Sequence, residues 1–155
     1  MRYVALLAAA CLVVAADARA ELPAATAKAL SEATYVYIQS QRKSGEWSTP
    51  AEIWFYVEDG SVFVGTKPTS WRVRRIKWKR PRARIAVGAP TGPTFEATGT
   101  LVHDAALEGR LMDAFAKKYP DGWKRYEQGF RDGFKNGERV VVRYTPTDAP
   151  SAVHK

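Results

Sequence analysis

The sequence holds a single cysteine, Cys11, and two histidines, His103 and His154, in 155 residues. One thiol excludes an intramolecular disulfide, a cysteine-based zinc site and an iron–sulfur cluster held by this chain alone. Two histidines exclude a histidine-rich metal centre. Walker, Rossmann, G-x-S-x-G and H-E-x-x-H patterns are missing, and with them the usual signatures of phosphate loops, dinucleotide folds, serine hydrolases and zinc proteases. Internal repeats are missing at every period. Acidic residues are the scarcer charge, 16 against 24 Lys and Arg, which leaves a net +8. Apolar residues make up 46% and aromatic residues 12%, a composition that packs a core and does not stay disordered. The length predicts one domain with at most a short appendage.

Long hydrophobic runs are scarce as well. The uncharged apolar stretch at residues 4–16 spans 13 residues, short of the roughly 20 that a membrane-spanning helix needs. Arg2 precedes it and Ala18-Arg19-Ala20 follows it, the three-part form of a secretory signal. Residues 1–20 are therefore expected to be cleaved before Glu21, leaving an exported chain, periplasmic or secreted, with no stable membrane anchor. The Ala-Ala-Ala-Cys that ends at Cys11 stands too early for a lipoprotein site. The mature chain then has no cysteine, and its stability rests on its core.

Residues 21–32 are alanine-rich and predict an N-terminal helical segment. Strand patterns follow at 33–39, 51–58, 61–66, 82–88, 94–103 and 139–144, each alternating apolar with small or polar residues. Asp59-Gly60 joins the second and third as a tight hairpin. A helix capped by Thr69 or Ser70 is expected at about 71–79, ended by Pro81. Another is expected at 104–119, with Asp104 as cap and Leu107, Leu111, Met112 and Phe115 on one stripe. Pro120-Asp121-Gly122 reads as its breaker, followed by a short helix with Trp123, Tyr126, Phe130 and Phe134 on an aromatic face. The order predicts a mainly β, α+β fold: a six-stranded antiparallel barrel over residues 33–146 with packed helices, and a flexible tail at 147–155.

The segment 67–84 carries nine basic residues in eighteen and no acidic one. Concentrated charge of one sign repels itself, so a neutralising anionic partner is expected. Ser70 at a helix start, between Lys67 and Arg72, adds backbone donors suited to phosphate.

Taken in order, AEIWFYVEDGSVFVGT, TSWRVRRIKWKRPRARIAV, TFEATGTLVHD, the KKYP helix end and RVVVRYTP resemble the pyridoxamine 5'-phosphate oxidase-like, FMN-binding split-barrel family. The nearer likeness is to its branch that binds the deazaflavin F420 or FMN, through Thr66, Ser70, Arg72-Val73-Arg74-Arg75-Ile76 and Pro81-Arg82. The resemblance covers residues 33–146. It implies a six-stranded split barrel in which Thr66, Ser70, Arg72 and Arg75 hold the cofactor phosphate, and the basic segment read above adds Lys67 beside them. Ile53 and Trp54 would lie along the ring system, with Trp54 and Trp71 lining the pocket. Hydride chemistry would belong to the cofactor, so that no catalytic side chain need be sought. It also implies a homodimer.

Three readings follow from the sequence. The first is an exported oxidoreductase that binds FMN or F420. The second is a non-catalytic exported module that uses the same basic pocket for a phosphorylated or other anionic small molecule, or for haem. The third, an electrostatic binder of nucleic acid or anionic lipid through 67–84, is disfavoured for nucleic acid by export. His103, Glu52 and Glu96 are expected in structural or solvent-facing positions.

Overall fold

The computed structural model describes residues 20–147. The expected signal sequence, apart from Ala20, and the tail after Thr147 lie outside the described residues. The chain runs α1 (Ala24–Glu32), β1 (Val36–Ser40), β2 (Ala51–Ile53), β3 (Tyr56–Glu58), β4 (Ser61–Thr66), α2 (Trp71–Lys77) and β5 (Arg82–Val87). It continues through β6 (Thr94–Val102), α3 (Ala105–Lys118), α4 (Pro120–Asn136) and β7 (Val140–Pro146). Among the described residues, no helix is long and apolar enough to cross a membrane.

The strands form one antiparallel sheet in the order β2-β1-β5-β6-β7-β4-β3. β2 and β3 are thus opposite edges of the sheet, yet only Trp54 and Phe55 separate them in sequence. A two-residue link reaches at most about 10 Å between the strand ends, so the sheet curls until its edges come together. The half-barrel is joined there by the chain itself, with no ladder between β2 and β3.

This corrects the expected strand count from six to seven. The run 51–58 alternates without interruption, but it has to leave one edge and join the other, so it breaks at Trp54-Phe55. A broken ladder orphans backbone groups. Phe55 N–H, on a residue 1% exposed, donates instead to the Tyr119 hydroxyl at 3.1 Å, which donates to the Thr34 carbonyl at 2.7 Å.

A second correction concerns Pro120. Its fixed φ and missing N–H suit a first helical turn, so the expected breaker opens α4 immediately after α3. Gly122 is required nearby, because a Cβ there would stand 2.6 Å from the Trp54 ring. Other expectations are met. Asp104 Oδ1 accepts from Ala106 N–H at 2.9 Å and Leu107 N–H at 3.1 Å. Asp59 and Gly60 both take positive φ, 47° and 67°, the geometry of a two-residue hairpin turn, and β3 pairs with β4 across them.

Alternation along β4 and β7 sends Val62, Val64, Val142 and Tyr144 into the barrel, while Phe63 and Val141 point out beneath α3 and α4. The helix stripe of Leu107, Leu111 and Phe115 packs on that outer face together with Trp123 and Phe130. α2 sits against β6 at Gly99, where a Cβ would lie 2.9 Å from Ile76 Cδ1 and 3.0 Å from Tyr144 Cε1. With Val73 fully buried as well, this close approach fixes the basic helix on the barrel wall.

Candidate functional site

β1, β2 and the start of α2 enclose a cleft of about 500 Å³, within the roughly 300–1,000 Å³ common for small-molecule sites. Ile38, Ser40 and Ala51 form its strand side, Arg42, Ser48 and Thr49 its loop side, and Ser70, Trp71, Arg72 and Arg75 its helix side. The loop is tied to β1, with Ser40 N–H donating to Ser48 Oγ at 3.0 Å and Gln39 Nε2 to the Ser48 carbonyl at 2.8 Å. Arg75 Nη1 donates to Ser40 Oγ and so bridges helix and strand.

The cleft is lined by three arginines and no carboxylate. Burial, and then the neighbouring charges of Arg42 and Arg80, push the Arg75 guanidinium below the usual arginine range. Ser70 Oγ and Arg72 Nη1 are buried without a hydrogen-bond partner. Ser70 stands at the N-cap position of α2, but its side chain makes no cap bond, so its hydroxyl is not spent on the helix. The Tyr144 phenol lies beside the Arg72 guanidinium without a hydrogen bond of normal geometry. Burial pushes its pKa up, partly offset by that guanidinium. Buried donors left unmade cost free energy, and an anion with several acceptor oxygens would satisfy both Ser70 and Arg72.

Of the residues singled out in the sequence, Ser70, Trp71, Arg72 and Arg75 come together here. Trp71 is 59% exposed, with the Arg74 and Arg75 guanidinium groups 5.3 and 5.5 Å from its ring centre. Thr66 ends β4 opposite Val140, and Lys67 is exposed in the turn that leads to Ser70; neither lines the cleft. Ile53 pairs with Val36 and packs on the barrel core. Trp54 is placed elsewhere, in the outer aromatic layer, stacked 4.5 Å from the Tyr119 ring. Arg82 and Arg84 are bound to Glu96 at 2.6 and 3.6 Å, so two of the nine basic residues serve the barrel wall. Glu52 is exposed and accepts from Tyr37, and His103 is exposed. Among the described residues, no group of His, Cys, Asp and Glu could hold a metal ion.

Sequence reasoning missed Ser40, Arg42, Ser48 and Thr49. They stand in a polar turn with no motif, and only the β1 register and the Ser48 tie bring them to the arginines.

No family sequence profile matches the chain, and no curated protein sequence does. Solved structures do share its fold. A conserved hypothetical protein of Mycobacterium tuberculosis superposes with a TM-score of 0.61 at 17% identity, over 83% of this chain and 82% of that one. A candidate pyridoxamine 5'-phosphate oxidase of Listeria innocua gives 0.58 at 11% identity, over 80% and 92%. The haem storage protein of Vibrio cholerae gives 0.56 at 14% identity, over 81% and 89%. At such identities the likeness is one of fold, and the fold of this chain is that of the pyridoxamine 5'-phosphate oxidase-like split barrels.

Proposed function

We propose that this chain is an exported split-barrel protein that binds the phosphate of a flavin or deazaflavin, FMN or F420, in the cleft between β1, β2 and α2, and serves as an oxidoreductase. The observation that carries this reading is the pair of buried, unpartnered donors, Ser70 Oγ and Arg72 Nη1, in a cleft that also presents Arg75 and no acid. Together they offer a charge-assisted donor set of the kind that holds phosphate. Bound there, the ring system would supply the hydride chemistry. The chain's own part is to anchor the phosphate through Ser70, Arg72 and Arg75, to offer Trp71 as an apolar face, and to keep carboxylates away from the anion. Assembly as a homodimer belongs to the same proposal, supported by the two sheet edges and by Trp71 and Trp78, 59% and 50% exposed.

The fold shared with the Vibrio cholerae haem storage protein favours a second reading, in which the same arginines take the carboxylates of a haem without catalysis. One experiment separates the two. Titrating the purified protein with FMN should quench the flavin fluorescence and perturb its visible absorption. A haem titration that perturbs the haem spectrum, with no response to FMN, would replace the flavin reading by the haem one.

A further inference from the structure

A second cavity, of about 470 Å³, lies between α1, the β3–β4 hairpin and α3, with Phe55 in its wall. Leu22, Ala27, Leu30, Phe55, Val57 and Ala114 give it apolar walls. Its cation is Lys118, at the end of α3, whose ammonium lies 3.3 Å from the Phe55 ring centre and 5.6 Å from that of Tyr119. No carboxylate among the described residues pairs with it. The other titratable groups at the cavity do not compensate it. Glu21, which also lines the cavity, is exposed and forms no ion pair with Lys118. Tyr56 gives its hydroxyl to Glu58, which Arg110 also holds at 2.7 Å. Burial alone pushes the Lys118 pKa down to about 8, with no acidic group acting on it.

A half-buried cation without a counter-ion, in the wall of a largely apolar cavity, complements an anion with an aliphatic tail. We propose that this cavity binds a mid-chain aliphatic carboxylate, its head on the Lys118 ammonium and its tail along Leu30 and Phe55. The site is separate from the arginine cleft, and it stands or falls independently of the flavin reading.

The test is a calorimetric titration of the full chain with decanoate, and with decanol as its uncharged counterpart. Decanoate should bind, and Lys118→Met, which keeps the length and the contact with Phe55, should weaken it by about tenfold or more. Decanol should bind both proteins alike, which also shows that the variant is folded. Affinity for decanoate should fall as pH rises past about 8, because the ammonium is then lost. Lys118→Arg, charged at all these pH values, should bind decanoate without that decline. The proposal is overturned if decanoate fails to bind, if Lys118→Met binds it as the wild type does, or if FMN displaces it, which would place it in the arginine cleft.

Discussion

Replacing Arg72 and Arg75 together by alanine is expected to weaken FMN binding by about two orders of magnitude or more. Each charged hydrogen bond to phosphate contributes about 1.5–3 kcal/mol, and about 1.4 kcal/mol is a factor of ten. Both guanidinium groups line the cleft, one with an unpartnered buried Nη1 and one bridged to Ser40. Riboflavin, which has no phosphate, should be nearly indifferent to the double change. Lys77 and Lys79 lie outside the cleft and are exposed, so Lys77→Ala with Lys79→Ala should leave FMN binding within a few-fold of wild type. Equal losses in the two double variants would show a diffuse basic surface in place of an anchor. Melting curves of both variants guard against a simple loss of fold, since Arg72 also lies beside the buried Tyr144.

The second large effect is expected at Tyr119. Its hydroxyl accepts from Phe55 N–H and donates to the Thr34 carbonyl, holding the place where the barrel is split. Tyr119→Phe keeps the ring stacked on Trp54 and removes only the hydroxyl. The Phe55 N–H is then buried without a partner, a cost of about 2 kcal/mol, or a melting temperature lower by about 5–10 °C for a domain of this size. FMN affinity should be unchanged, because Tyr119 does not line the arginine cleft. Burial also pushes the Tyr119 pKa from 10.0 up to about 12. The folded state therefore holds this proton where the unfolded chain has lost it. The hydroxyl's stabilisation is complete below about pH 10 and is lost as pH rises through about 12. Thermal melts at alkaline pH should show a larger loss in the wild type than in Tyr119→Phe, which keeps only the share due to the other tyrosines raised in the fold, the buried Tyr144 among them. A variant as stable as the wild type would mean that water or a shifted backbone replaces the hydroxyl.

Local patterns carried most of the fold into the sequence. Strand alternation, the Asp59-Gly60 turn, the Asp104 cap and the stripe of α3 each depend on neighbours within a few residues, and each is found as expected. The break at Trp54-Phe55 was hidden because its cause is remote: the two halves of the run belong to opposite sheet edges, and the group that satisfies Phe55 is 64 residues away. Pro120 was misread because one residue type both ends a preceding helix and suits the first turn of the next. In the cleft, the helix side was legible as a basic segment with Ser70 at its head. The Ser40, Arg42, Ser48 and Thr49 side was not, since the β1 register and the tie of Ser48 to β1 bring it there. Trp54, expected along a ring system, packs against Tyr119 and Gly122 because α4 starts directly above it.

The central claim is that the arginine cleft anchors a phosphate. Its most direct measurement is a paired titration of the full chain with FMN and with riboflavin, followed by flavin fluorescence under one buffer and salt condition. The two ligands share the ring and differ by the phosphate. FMN should bind about a hundredfold or more tightly than riboflavin, and the difference should shrink to a few-fold when Arg72 and Arg75 are both alanine. Equal affinities for the two flavins in the wild-type protein, or no binding of either, would contradict it.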